Sequence, residues 1–94
     1  MREKLIEMEL WDAKDQRNPS QDVICAWSVL SRLGAPYRFG GRTPDGRLEY
    51  LVLNLAGGEV VASGRGATPA EAMCRAALAA RCAQQDKESL VTSH

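Results

Sequence analysis

The chain has 94 residues, 45% of them hydrophobic, with twelve basic and twelve acidic side chains. That length supports one small domain with a single core, and the zero net charge argues against nucleic-acid binding through a bulk basic surface. No apolar run reaches the roughly 20 residues of a membrane span. The opening Met1-Arg2-Glu3-Lys4-Leu5-Ile6-Glu7 puts charges where a signal peptide needs apolar residues. A cytoplasmic location and no membrane partner are therefore expected.

Residues 1–17 carry two periodicities. Leu5, Met8 and Trp11 recur at helical spacing, whereas Ile6, Met8 and Leu10 alternate with Glu7 and Glu9 as a strand would. The expectation is an N-terminal arm or short helix, followed by the polar connector Asp12-Ala13-Lys14-Asp15-Gln16-Arg17. Residues 18–83 then form the domain. Asn18-Pro19-Ser20 opens a helix, with either Asn18 or Ser20 as the cap. Val23, Ala26, Trp27, Leu30 and Leu33 mark its inward stripe, which makes Trp27 a core residue. Gly34 ends the helix and Pro36 prevents its resumption.

Three strands follow. Tyr37-Arg38-Phe39 stops at Gly40-Gly41, and Thr43-Pro44-Asp45-Gly46 is a turn. Arg47 to Leu55 is the longest strand, with Leu48, Tyr50 and Val52 on one face and Leu51, Leu53 and Leu55 on the other. Ala56-Gly57-Gly58 turns the chain into Glu59-Val60-Val61-Ala62-Ser63, and Gly64-Arg65-Gly66 leaves the sheet. A closing helix starts at Thr68, as N-cap, with Pro69 at its first position and Glu71 placed for a capping box, and runs to about Ala83. Its inner stripe is Ala70, Met73, Cys74, Ala77, Leu78 and Arg81 or Cys82, while Ala72, Ala76, Ala79 and Ala80 keep it thin enough to lie close on a sheet. Residues 84–94 read as a polar, flexible tail. The fold class is thus α+β: helix, three-stranded antiparallel meander, helix, with both helices on one sheet face or one on each.

The residues supply no catalytic constellation. Cys25, Cys74 and Cys82 are an odd set without metal-ligand spacing and read as small buried hydrophobes. The single histidine, His94, is the last residue and leaves no base for a nucleophilic thiol. Asp45, Glu49, Glu59 and Glu71 are scattered over turns and strand edges rather than paired for acid–base work. No enzyme activity, cofactor or metal is expected. The candidate partner-binding residues are Arg38, Arg42, Arg47 and Arg65, which can gather along the hairpin and strand ends toward an acidic partner, and Trp11, which can bury itself in a partner from the arm.

Two resemblances accompany these readings. Across residues 18–83, Asn18-Pro19-Ser20 before a helix with Ala26-Trp27 and Leu30, and Gly64 before Thr68-Pro69-Ala70-Glu71-Ala72-Met73-Cys74-Arg75-Ala76-Ala77-Leu78, resemble the phage ABA-sandwich domain family. That resemblance implies a phage or prophage origin with no assigned activity. The element order, Gly34-Ala35-Pro36-Tyr37, and Gly64-Arg65-Gly66 before Ala72, Ala76 and Ala77 are also similar to the double-stranded RNA-binding domain. That family sets lysines at the start of its second helix to clamp phosphates; Thr68-Pro69-Ala70-Glu71 puts an acid there, which removes RNA binding by that route. The expected function is non-enzymatic protein binding by a phage accessory protein, for example inhibition of a bacterial defence system such as an anti-CRISPR, with a host protein as partner. A nucleic-acid or nucleotide binder and a self-associating assembly protein are the alternatives.

Overall fold

A computed structural model describes the backbone of residues 1–92 and the side chains of residues 1–84. Its elements are α1 (Arg2–Glu7), a short 3-10 helix (Pro19–Gln21), α2 (Val23–Leu33), β1 (Tyr37–Arg42), β2 (Leu48–Leu53), β3 (Val60–Gly66) and α3 (Pro69–Thr92). The strands form one antiparallel sheet in the order β1-β2-β3, with α3 across β2 and β3 and α2 beside α3. This is the expected α+β class. One core joins Leu5, Leu10 and Trp11 to Val29, Leu30, Val52 and the alanines of α3.

Residues 1–17 belong to that core. Glu9, at φ 62°, closes α1: its N–H donates to the Ile6 carbonyl, and that of Leu10 to the Leu5 carbonyl at 2.8 Å. These two hydrogen bonds make a Schellman-type ending, in which a left-handed residue reverses the chain and brings flanking apolar residues together. Leu5 and Leu10 are both fully buried. Arg2 fixes the segment further, its Nη2 donating to the Asp15 carbonyl at 2.8 Å and the Ala13 carbonyl at 3.2 Å.

The start of the first long helix differs from expectation. Asn18 caps only the 3-10 turn, its Oδ1 accepting from the Ser20 N–H at 3.1 Å, and Asp22 caps α2, its Oδ1 accepting from the Ile24 N–H at 2.9 Å. The buried stripe of α2 is Cys25, Ala26, Val29, Leu30 and Leu33, turned by roughly 60° from the predicted stripe at 100° per residue. Val23 and Trp27 fall outside it. Periodicity fixes the pitch of a stripe, but apolar residues on most of the circumference leave its rotation open. Small Cys25 and Ala26 are buried in the core instead, with Cys25 neighbouring Cys74 of α3.

In the sheet, β1 continues past Phe39 through an irregularity at Gly40 to Arg42, because the extra residue restores pairing as Gly41 with Glu49 and Arg42 with Leu48. β3 likewise extends through Gly64 to Gly66 rather than leaving the sheet at Gly64. The reason is close approach. A Cβ on Gly64 would collide with the Ala76 nitrogen and lie 2.6 Å from the Ala72 oxygen, and one on Gly66 would lie 2.8 Å from the Ala72 nitrogen. Glycines in the strand and alanines in the helix let two backbones nearly touch. Thr68 caps α3 as expected, accepting from the Glu71 N–H at 3.2 Å. The helix does not stop at Ala83, however. It runs to Thr92, since Gln84 to Leu90 contains no glycine or proline to end it. The last two residues of the expected tail, Ser93 and His94, lie outside the described residues.

Candidate functional site

Four of the five aromatic residues come together where α2 meets the β1–β2 side of the sheet. Tyr37 and Phe39 on β1 share a face with Tyr50 and Val52 on β2, because directly paired residues of antiparallel strands point the same way. Val52 is fully buried, so this is the helix-covered face. Over it stand Val23, Ile24 and Trp27, three neighbouring positions on the outer side of α2. Between them lies a cleft of about 260 Å³, lined by Val23, Ile24, Trp27, Tyr37, Tyr50 and Met73.

The cleft is apolar and half open. Trp27 is 58% exposed, Ile24 69% and Phe39 53%. Trp27 is nonetheless held, because its Nε1 donates to the Tyr37 hydroxyl. Burial pushes the Tyr37 phenol above its ordinary value, and the neighbouring Tyr50 adds to this, so the hydroxyl stays protonated at neutral pH. Phe39 and Tyr50 pack tilted, with ring centroids 5.3 Å apart. On the outer face of α2 the Ser28 and Ser31 hydroxyls donate to the carbonyls of Ile24 and Trp27 at 3.2 and 3.0 Å, which satisfies them locally. What remains is an apolar concavity with an indole at its lip. A second cleft of about 440 Å³, lined in part by Leu33, Leu53, Leu55, Val61 and Ala80, borders the part of α3 whose side chains lie outside the described residues.

The predicted binding residues do not form one site. Trp11, expected in a free arm, is only 4% exposed. Its Nε1 donates to the Asp15 carbonyl at 3.3 Å, and the guanidiniums of Arg17 and Arg32 stand 5.8 and 5.5 Å from its ring centroid. It is a core residue under a polar lid and does not reach outward. The two tryptophans have exchanged their expected roles. Arg47 pairs with Asp45 of its own turn at 3.6 Å, and Arg65 on β3 with Glu49 on β2 at 2.8 Å, so each has a carboxylate partner. Arg38 and Arg42 are exposed and have no carboxylate partner among the described residues. Both lie on β1, with Arg38 on the open face of the sheet beside Leu51 and Arg42 beyond Phe39 beside Leu48.

The other polar groups are similarly committed. Glu71 pairs with Arg75 at 2.8 Å, and the Glu59 Oε1 accepts from the Asn54 Nδ2 at 2.8 Å. Cys25 and Cys74 are buried as expected, and burial raises both thiols, Cys74 to about 12. Cys82 is exposed instead. Among the described residues there is no group of three or more His, Cys, Asp or Glu able to hold a metal ion, and no helix long and apolar enough to cross a membrane. Sequence reasoning missed the aromatic cleft because it assigned Trp27 inward. The available signal was the presence of Val23, Ile24 and Trp27 on an arc that Cys25, Ala26 and Val29 do not share.

Comparison with protein-family models, curated proteins and solved structures found no match to this chain.

Proposed function

We propose that this chain is a non-enzymatic protein-binding module and that the aromatic cleft between α2 and the β1–β2 strands is its docking surface. The observation that carries this reading is Trp27, more than half exposed yet oriented by its bond to Tyr37. A tryptophan presented in one orientation over a concave apolar floor loses little entropy on binding, and such residues dominate interface energetics. The commitment of Asp45, Glu49, Glu59 and Glu71 to local partners, and the raised thiols of Cys25 and Cys74, favour binding over catalysis. The resemblance to the phage ABA-sandwich family supports a phage accessory role. In its specific form the chain occupies the surface of a host protein in the bacterial cytoplasm, as an inhibitor of a defence system such as an anti-CRISPR would.

The test is affinity capture from host lysate with the wild-type chain and with Trp27→Ala and Phe39→Ala. The expected result is one stoichiometric host protein whose affinity falls about tenfold or more in the Trp27 variant. Equal retention by both variants, or recovery of no stoichiometric partner, overturns the reading. The anti-defence form requires in addition that expression of the chain restores plaque formation by a phage that the host otherwise restricts.

A further inference from the structure

The two edges of the sheet are finished differently. Along β1 the bonded pairs can be counted from two fixed points, the Leu53 N–H donating to the Pro36 carbonyl at 2.8 Å and the Thr43 N–H to the Arg47 carbonyl at 2.7 Å. Antiparallel ladders alternate bonded and non-bonded pairs, so Arg38 and Gly41 turn their backbone groups toward β2. Tyr37, Phe39 and Arg42 turn theirs outward. By the same alternation β3 turns Ser63 and Arg65 outward, but there the Arg65 carbonyl accepts from the Arg75 Nη1 at 2.9 Å, and Arg75 is itself held by Glu71. A side chain of α3 thus caps the β3 edge. No described residue does this for β1.

The side chains along β1 sort by face in a matching way. Tyr37 and Phe39, whose backbones point outward, put their rings on the cleft side, while Arg38 between them points to the open face of the sheet. A strand laid along this edge would set residues opposite Tyr37 and Phe39 on the cleft side, beside exposed Phe39 and toward Trp27. The residue between would fall on the Arg38 side, whereas Arg42, paired with Leu48 past the extra residue at Gly40, lies on the cleft side. Both arginines lack a carboxylate partner among the described residues.

We propose that the free edge of β1 takes up an extended segment of a partner protein as a fourth strand. In that segment apolar residues facing the aromatic cleft alternate with acidic residues on the open face, where Arg38 stands. This rests on the reading of the cleft as a protein-docking surface and specifies what docks there. Main-chain bonds to Tyr37 and Phe39 supply register, the cleft supplies apolar contact, and the Arg38 guanidinium selects for acid on the open face.

The probe is a labelled, acetylated and amidated peptide of alternating valine and glutamate, seven residues long. It is compared with a version carrying lysine for glutamate and a version N-methylated on the backbone amides of alternate residues. Binding is read by fluorescence anisotropy, and amide exchange of the protein by NMR. The glutamate peptide should bind and slow exchange at the Tyr37 and Phe39 amides, while both altered peptides should bind at least about fivefold more weakly, as should Arg38→Glu paired with the glutamate peptide. Arg38 is exposed, so that variant should keep the fold, with circular dichroism as the check. Equal binding of the N-methylated peptide, unchanged exchange at Tyr37 and Phe39, or no binding at about 1 mM peptide overturns strand addition. Equal binding of the lysine peptide overturns the acidic partner. The protein-docking reading fails separately, if Trp27→Ala and Phe39→Ala leave capture of the host protein unchanged.

Discussion

At the β3 side of the sheet, α3 descends until a Cβ on Gly64 would stand 2.6 Å from the Ala72 oxygen. At the β1 side, α2 presents Val23, Ile24 and Trp27 to the strands and leaves a cleft of about 260 Å³. One sheet therefore carries two kinds of helix contact. Glycines opposite alanines remove the side-chain layer and bring backbones together, whereas large residues on both partners hold the surfaces apart. The dense side also caps its own strand edge through Arg75, while the open side leaves β1 unpaired. Stability is thus concentrated on one margin and accessible apolar surface on the other, which is a division suited to binding without loss of the fold.

The sharpest way to break this comparison is Gly64→Val. The added branches must enter the backbone of α3, which cannot yield as a flexible side chain could. The variant should show no cooperative thermal unfolding by circular dichroism, and a native-like transition would disprove the close contact. Next come the tryptophans, compared by chemical denaturation. Trp11→Ala should cost about 3–5 kcal/mol, as for a buried aromatic, whereas Trp27→Ala should cost less than about 1 kcal/mol. Similar losses at the two positions would erase the distinction between core and cleft. The last effect is absent at neutral pH and emerges only in alkali. Cys74 is raised from the ordinary 9.0 to about 12, first by burial in the core and then by neighbouring Cys25 of α2. Below pH 9 its thiol is protonated in both folded and unfolded chains and stability is unaffected. Between pH 9 and 12 only the unfolded chain ionises, so stability should fall through that window. In Cys74→Ala the fall should be shallower, and an unchanged slope would show that the thiol is not shielded.

Much of the backbone course on both sides was legible in the sequence. Thr68-Pro69 signalled a helix start, Gly34 a helix end and Thr43-Pro44-Asp45-Gly46 a turn, because each acts through its own backbone or the next few residues. The alanines of α3 implied close packing for the same reason: a small side chain limits contact distance whatever lies opposite. The candidate site was far less legible. Arg38 and Arg42 were named, but their freedom depends on Asp45 engaging Arg47 within the turn and Glu49 meeting Arg65 across the β2–β3 pair instead. Trp11 and Trp27 were assigned in reverse, because each lies on an apolar arc whose orientation is set by distant residues.

The amino-acid sequence by itself determined the α+β class, the element order and the thin closing helix, since local propensity, capping and side-chain size act over a few residues. The tertiary structure alone decided the rotation of α2, the folding of residues 1–17 into the core and the bare edge of β1. Those depend on which surfaces compete for the same space. Small Cys25 and Ala26 win places in the core, Trp11 fills it under Arg17 and Arg32, and Trp27 is left at the lip of the cleft.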